Sequence, residues 1–156
     1  MLDPVTRDTL DRCNDWPANQ MQLGKLMHRT TSVVKGSYSF ARDGGAVGYI
    51  TLKDQDGVTP LTIPSGALIL NSLVYVTTAV LSGGAATVGV GLEADNDIFN
   101  ATAKASLSIG AKIVGIPDYA TAADYLKLTA DRSFRLKVGT AALTAGVLDY
   151  YVWYVL

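Results

Sequence analysis

Ala67-Leu68-Ile69-Leu70-Asn71-Ser72-Leu73-Val74-Tyr75-Val76-Thr77-Thr78-Ala79-Val80-Leu81 is the longest apolar run of the chain. It is rich in β-branched residues, which fit a pleated strand and lose side-chain freedom in a helix. Asn71, Ser72, Thr77 and Thr78 interrupt it, and no run approaches the ~18 apolar residues of a membrane span. Turn signals bound it on both sides. Ile63-Pro64-Ser65-Gly66 precedes it, with Pro at a position that suits the second residue of a turn, and Ser82-Gly83-Gly84 follows. The run therefore predicts β structure, as one bent strand or two.

The same grammar extends outward. After the Gly83-Gly84 turn, residues 86–92 alternate Thr87, Gly89 and Gly91 against Val88, Val90 and Leu92, and a glycine face leaves room for a close neighbour. Residues 93–106 read as a polar, Ala-rich loop with at most one helical turn. Residues 108–115 and 125–128 read as strands separated by a loop over 117–124. Residues 133–138 are a clear strand, with Phe134, Leu136 and Val138 facing one way and Arg135 and Lys137 the other. Leu143-Thr144-Ala145-Gly146 reads as a turn into a last strand over 147–155. Upstream, residues 34–41 and 47–52 read as a hairpin about Asp43-Gly44-Gly45, followed by a turn at Asp54-Gln55-Asp56-Gly57 and a short strand over 61–63. About eight short strands with turns between them predict an all-β sandwich or barrel. No amphipathic helix lies between strands to carry a parallel crossover, so the sheets are expected to be antiparallel. Glu93 is the only Glu in the chain, and helical surfaces usually draw on that residue.

Residues 1–31 differ. Charges are scattered through them, Pro4 and Pro17 break them, and a helix over 6–13 could be only short. They read as an extended N-terminal arm, with residues 32–156 forming the sandwich. Trp16, Leu23, Leu26 and Met27 are the apolar anchors such an arm needs, because each residue it orders costs about 1–2 kcal/mol of entropy. The first residues have neither the basic nor the apolar region of a signal peptide.

Composition narrows function. The 156 residues are 49% hydrophobic and only 17% charged, with a net charge of −1. Neither charge sign dominates, so nothing steers the chain to nucleic acid or an anionic membrane. Sparse charge suits a surface that a partner covers. The last strand points the same way. Asp149-Tyr150-Tyr151-Val152-Trp153-Tyr154-Val155-Leu156 is apolar or aromatic on both faces, and such a strand is normally covered on both. Tyr151 and Trp153 are the candidate subunit-interface residues. A central strand under a long loop is the competing explanation.

Chemistry is sparse. His28 and Cys13, each the only one of its kind, fall in the arm, away from any rigid cleft that catalysis would need. A structural zinc site needs about four ligands, and no cofactor or metal is expected. Glu93, Asp95, Asn96 and Asp97 form an oxygen-rich run, but it lacks the glycine and closing acid of an EF-hand; Asp and Asn loops are usually turns that bond their own backbone, and calcium on Glu93, Asp95 and Asp97 is the minor alternative. Gly44-Gly45 and Gly83-Gly84 lack the Lys-Ser/Thr of a phosphate loop. Tyr119 and Tyr125 flank a loop that could hold a sugar.

One resemblance covers about the last two-thirds, from Pro60 to Leu156. It is carried by Ile63-Pro64-Ser65-Gly66-Ala67-Leu68-Ile69, Val74-Tyr75-Val76-Thr77-Thr78-Ala79, Gly83-Gly84-Ala85-Ala86-Thr87-Val88-Gly89-Val90-Gly91-Leu92, and Leu143-Thr144-Ala145-Gly146 before a Tyr-rich strand. In these the chain resembles small structural proteins of tailed-bacteriophage virions. The resemblance implies a jelly-roll-like β-sandwich and a capsid cement or decoration protein. It also implies a homotrimer on the capsid surface, assembled in the host cytoplasm, with the major capsid protein as partner and no catalytic residues. The arm lies outside the match. A tail or baseplate component, or a carbohydrate-binding module for host attachment, are the alternatives; an enzyme is the class with least support.

Overall fold

The computed structural model describes residues 31–116 and 126–156. Among them run ten strands: β1 (Ser32–Ser39), β2 (Gly48–Thr51), β3 (Thr62–Ile63), β4 (Leu68–Ser82), β5 (Thr87–Gly91), β6 (Phe99–Ala103), β7 (Lys112–Val114), β8 (Arg132–Ser133), β9 (Arg135–Gly139) and β10 (Leu143–Val155). They form two four-stranded sheets, ordered β1-β10-β4-β7 and β2-β9-β5-β6, with β3 and β8 as a separate pair. Every strand pairing is antiparallel. With the short β3–β8 pair set aside and the remaining eight strands renumbered, the orders become 1-8-3-6 and 2-7-4-5. In each sheet strands from the two ends of the domain interleave, which is the jelly-roll arrangement.

The inner faces supply the core. Tyr38, Val74, Val76, Leu148, Tyr150 and Val152 come from the first sheet, and Val88, Val90, Phe99, Leu136 and Val138 from the second; all are buried. Phe134 lies between β8 and β9 and is fully buried. Its backbone joins two flanking segments, accepting from the Leu52 N–H at 2.9 Å and donating to the Leu61 carbonyl at 3.0 Å. The apolar run that begins at Ala67 forms one strand, ending at Ser82.

Residues 34–41 and 47–52 do not make a hairpin. β1 pairs with β10 and β2 with β9. The link between them is a helical turn, Phe40–Asp43, that carries the chain from one sheet to the other. The turn is pinned rather than open. The Tyr38 hydroxyl donates to the Gly44 carbonyl at 2.6 Å, Asp43 accepts the Ser39 N–H at 3.0 Å, and Leu143 N–H reaches the Gly45 carbonyl at 2.7 Å. Gly44 has φ 75°, a conformation cheap only for glycine. Alternation fixes which face of a strand is buried but not which strand it pairs with.

Four further expectations change. The loop over 93–106 contains a strand, β6, and a 3₁₀ turn, Lys104–Ser106. Among the described residues β6 pairs with β5 alone, at the sheet edge, so its polar sequence carried no alternating core signal. Leu143 to Gly146 is already strand; register shifts beside Ala145 and Val147 absorb the bend as bulges. Of residues 108–115 only Lys112–Val114 pair as a strand, and Lys127 makes a single bridge to Leu68. Tyr119, Tyr125 and the loop over 117–124 lie outside the described residues, as does the whole segment 1–30.

Candidate functional site

β10 lies between β1 and β4, so its outward side chains fall near the middle of the first sheet. Leu148, Tyr150 and Val152 turn inward and are buried, and alternation sends Asp149, Tyr151 and Trp153 outward. The register builds cross-strand rows on that outer face. Val33, Trp153 and Asn71 form one; Lys35, Tyr151, Leu73 and Val114 the next; Ser37, Asp149, Tyr75 and Lys112 the third. Outer faces of solvated antiparallel sheets are normally polar. Here two rows are largely apolar, and the flanking Val33 and Val114 are 52% and 65% exposed.

The aromatic pair is held in place. The Tyr151 and Trp153 ring centres are 6.4 Å apart with 28° between planes. Lys35 Nζ lies 3.1 Å from Asp149 Oδ2 and 5.5 Å from the centre of the Tyr151 ring. The Asp149 carboxylate raises the Lys35 pKa, keeping the ammonium charged. The outer face thus carries stacked rings beside a fixed ion pair. Tyr151 and Trp153, the residues the sequence put forward for a subunit interface, are half-buried on the outer face. Trp16, Leu23, Leu26 and Met27 lie outside the described residues. Val33, Leu73 and Val114 were not singled out by sequence reasoning; only the register brings them beside the aromatics.

The second sheet carries the acidic run. Gly89 and Gly91 leave their face bare, and the loop after β5 lies on it. A Cβ at Gly91 would collide with the Ala94 carbonyl oxygen, and one at Gly89 with the Asn96 side chain. The carboxylates on that loop are taken up by the protein itself. Asp97 accepts the N–H groups of Leu92, Glu93 and Ala94 at 2.7–2.9 Å. Glu93 takes Thr129 N–H at 2.6 Å, the Thr129 hydroxyl at 2.8 Å, and Arg132 Nε and Nη2 at 2.9 and 2.6 Å. Asp95 accepts Lys137 Nζ at 2.6 Å and the Tyr49 hydroxyl at 2.9 Å. Among the described residues, no three His, Cys, Asp or Glu side chains gather as a metal would require.

These contacts set an acid response. Arg132, then the Thr129 N–H and hydroxyl, lower the Glu93 pKa from 4.5 to about 2. A carboxyl depressed in the fold stabilises it above the unfolded-state pKa, and the contribution fades as pH falls through the folded value. Glu93→Gln is expected to lower the melting temperature at pH 7, with the gap to wild type closing between pH 4.5 and pH 2. A gap of constant size across that window would show that the ion pair is not its source.

No family model matches the sequence and no curated relative matches it. Solved structures match the fold. A chain in the capsid asymmetric unit of cyanophage Pam1 superposes with TM-score 0.59 at 18% identity, covering 81% of this chain and 85% of that one. The fold occurs in phage capsids. A chain in the capsid of Ralstonia phage GP4 gives 0.58 at 17%, covering 81% and 84%. One in the acidic stable capsid of Helicobacter pylori bacteriophage KHP30 gives 0.53 at 18%, covering 81% and 88%. At such identities the likeness is one of fold, and function rests on surfaces grafted onto it.

Proposed function

We propose that the chain is a structural protein of a phage virion, and within the virion a cement or decoration protein that binds and stabilises the major capsid shell. The observation that carries the reading is the jelly roll matched over 81% of the chain by chains from three phage capsids. The outward rows around Tyr151 and Trp153 support it, since exposed apolar surface of this kind marks interaction sites. The role is binding rather than catalysis. The protein acts as a homotrimer on the capsid surface, assembled in the host cytoplasm, with Tyr151 and Trp153 at the subunit interface. Residues 1–31 serve as an arm anchored on neighbouring shell protein through Trp16, Leu23, Leu26 and Met27.

The test uses purified protein and capsid shells that lack it. Saturable co-sedimentation and a higher shell melting temperature are expected. Deleting residues 1–30 should leave a folded domain that binds at least tenfold more weakly. A Tyr151→Ser, Trp153→Ser double variant should remain folded but sediment as a monomer. A wild-type protein that stays monomeric and leaves shell stability unchanged would overturn the proposal.

A further inference from the structure

β9 lies between β2 and β5, and its outward side chains with that of β8 form a basic row: Arg132, Arg135 and Lys137. Arg132 is closed onto Glu93 through Nε and Nη2, at 2.9 and 2.6 Å from Oε2. Lys137 is closed onto Asp95 at 2.6 Å. Arg135 differs. Its guanidinium carbon lies 5.3 Å from the centre of the Tyr49 ring, and among the described residues it has no hydrogen bond or ion pair to any carboxylate. Arg135 lines a cleft of about 610 Å³ together with Thr51, Pro60, Leu92, Ser133 and the charged Glu93, Asp131 and Arg132.

A guanidinium is a rigid fork of five N–H donors that matches a carboxylate with two parallel bonds. Resting on Tyr49 holds the fork in place, so little freedom remains to be lost on binding. Tyr49 is itself fixed, donating its hydroxyl to Asp95 at 2.9 Å. Thr51 stands opposite Arg135 in the β2–β9 register and brings a hydroxyl to the same wall. Pro60, which is exposed, offers apolar surface to the carbon atoms of an incoming group, over the buried Leu92. The acidic residues of the lining decide the ligand's charge. Glu93 is spent on Arg132 and Thr129, and Asp131 accepts the Ser65 N–H at 2.8 Å. Their charge disfavours a doubly charged phosphate more than a singly charged carboxylate, which Arg135 alone can pair.

We propose that the Arg135 cleft is a receptor for a single carboxylate, presented by an Asp or Glu side chain of a neighbouring protein in the shell. The source of the carboxylate rests on the virion reading above; the chemistry of the cleft does not. Arg135 is thus a specificity-determining contact on the second sheet, on a different sheet from Tyr151 and Trp153.

Two measurements separate these layers. The Arg135 Nε–Hε resonance is followed in the full-length protein during titration with sodium acetate and, at equal ionic strength, with sodium chloride. A shift with acetate alone is expected, and its absence overturns the receptor. Wild type, Arg135→Gln and Arg135→Lys are then compared for binding to shells lacking the protein. Arg135→Gln should weaken binding tenfold or more with an unchanged melting temperature, and Arg135→Lys nearly as much, because a lone ammonium cannot reproduce the fork. Wild-type affinity in Arg135→Gln, with the acetate shift intact, would overturn the shell protein as the source and leave a site for a free acid. Failure of wild type itself to bind shells would instead count against the virion reading, while the acetate arm still decides the cleft.

Discussion

Phe134→Ala is expected to cost the domain about 3–5 kcal/mol, the range for truncating a fully buried aromatic side chain. Phe134 is 0% exposed, so nothing but surrounding core can fill the space it leaves. Collapse around it is restricted, because its backbone is fastened on both sides, to Leu52 and to Leu61. Those two bonds tie β8 and β9 to the segments after β2 and before β3, so the cavity opens where the chain passes from the long sheet to the short pair. Urea denaturation should show a much lower midpoint with little change in slope. Phe134→Leu keeps most of the volume and should lose less than half as much. If Phe134→Ala lost under 1 kcal/mol, the site would have to be far more compliant than its burial implies.

Gly91→Ala should be the most damaging change that adds only one carbon. The new methyl would overlap the Ala94 carbonyl oxygen and press on the Asn96 N–H, both backbone atoms that cannot rotate away. Overpacking typically costs about 1–3 kcal/mol, and here the obstacle is main chain, so a loss of about 3 kcal/mol is expected. Moving the loop aside would also slacken the Asp97 bonds to three N–H groups and the Glu93 clasp on Arg132. Gly83→Ala is the control. Among the described residues no atom lies within 4 Å of its would-be methyl, and stability should stay within about 0.5 kcal/mol of wild type. Equal melting temperatures for the two variants would mean that the loop does not lie on the glycine face.

What the sequence made legible was each strand's own face. β9 could be oriented from Phe134, Leu136 and Val138 against Arg135 and Lys137, and the glycines of β5 announced a close neighbour. Partners were less legible. Local alternation suggested that β1 and β2 pair with each other, yet each pairs with a strand from the far end of the domain. β6 was missed because an edge strand of Asn, Thr and Ala has little pattern to show. The candidate surface divides the same way. Tyr151 and Trp153 stood out because a strand apolar on both faces is unusual. Val33 and Val114 joined them only through register, and Arg132 could not be matched to Glu93 from spacing alone. The cleft at Arg135 was invisible for the same reason, since its walls come from four separate segments.

The place of β10 in its sheet has a consequence for how the molecule is made. Both of its neighbours, β1 and β4, precede it in the chain, and β9 stands in the same relation to β2 and β5. While a ribosome is still translating the middle of the sequence, β1 and β2 have no permanent companions and their edges stay open. Closure must wait until Val155 has been synthesised and has cleared the exit tunnel. Such distant pairing slows folding and lengthens exposure to misassociation. A charge on such an edge, as Lys35 is on β1, is the feature that discourages an unfinished strand from joining that of another copy.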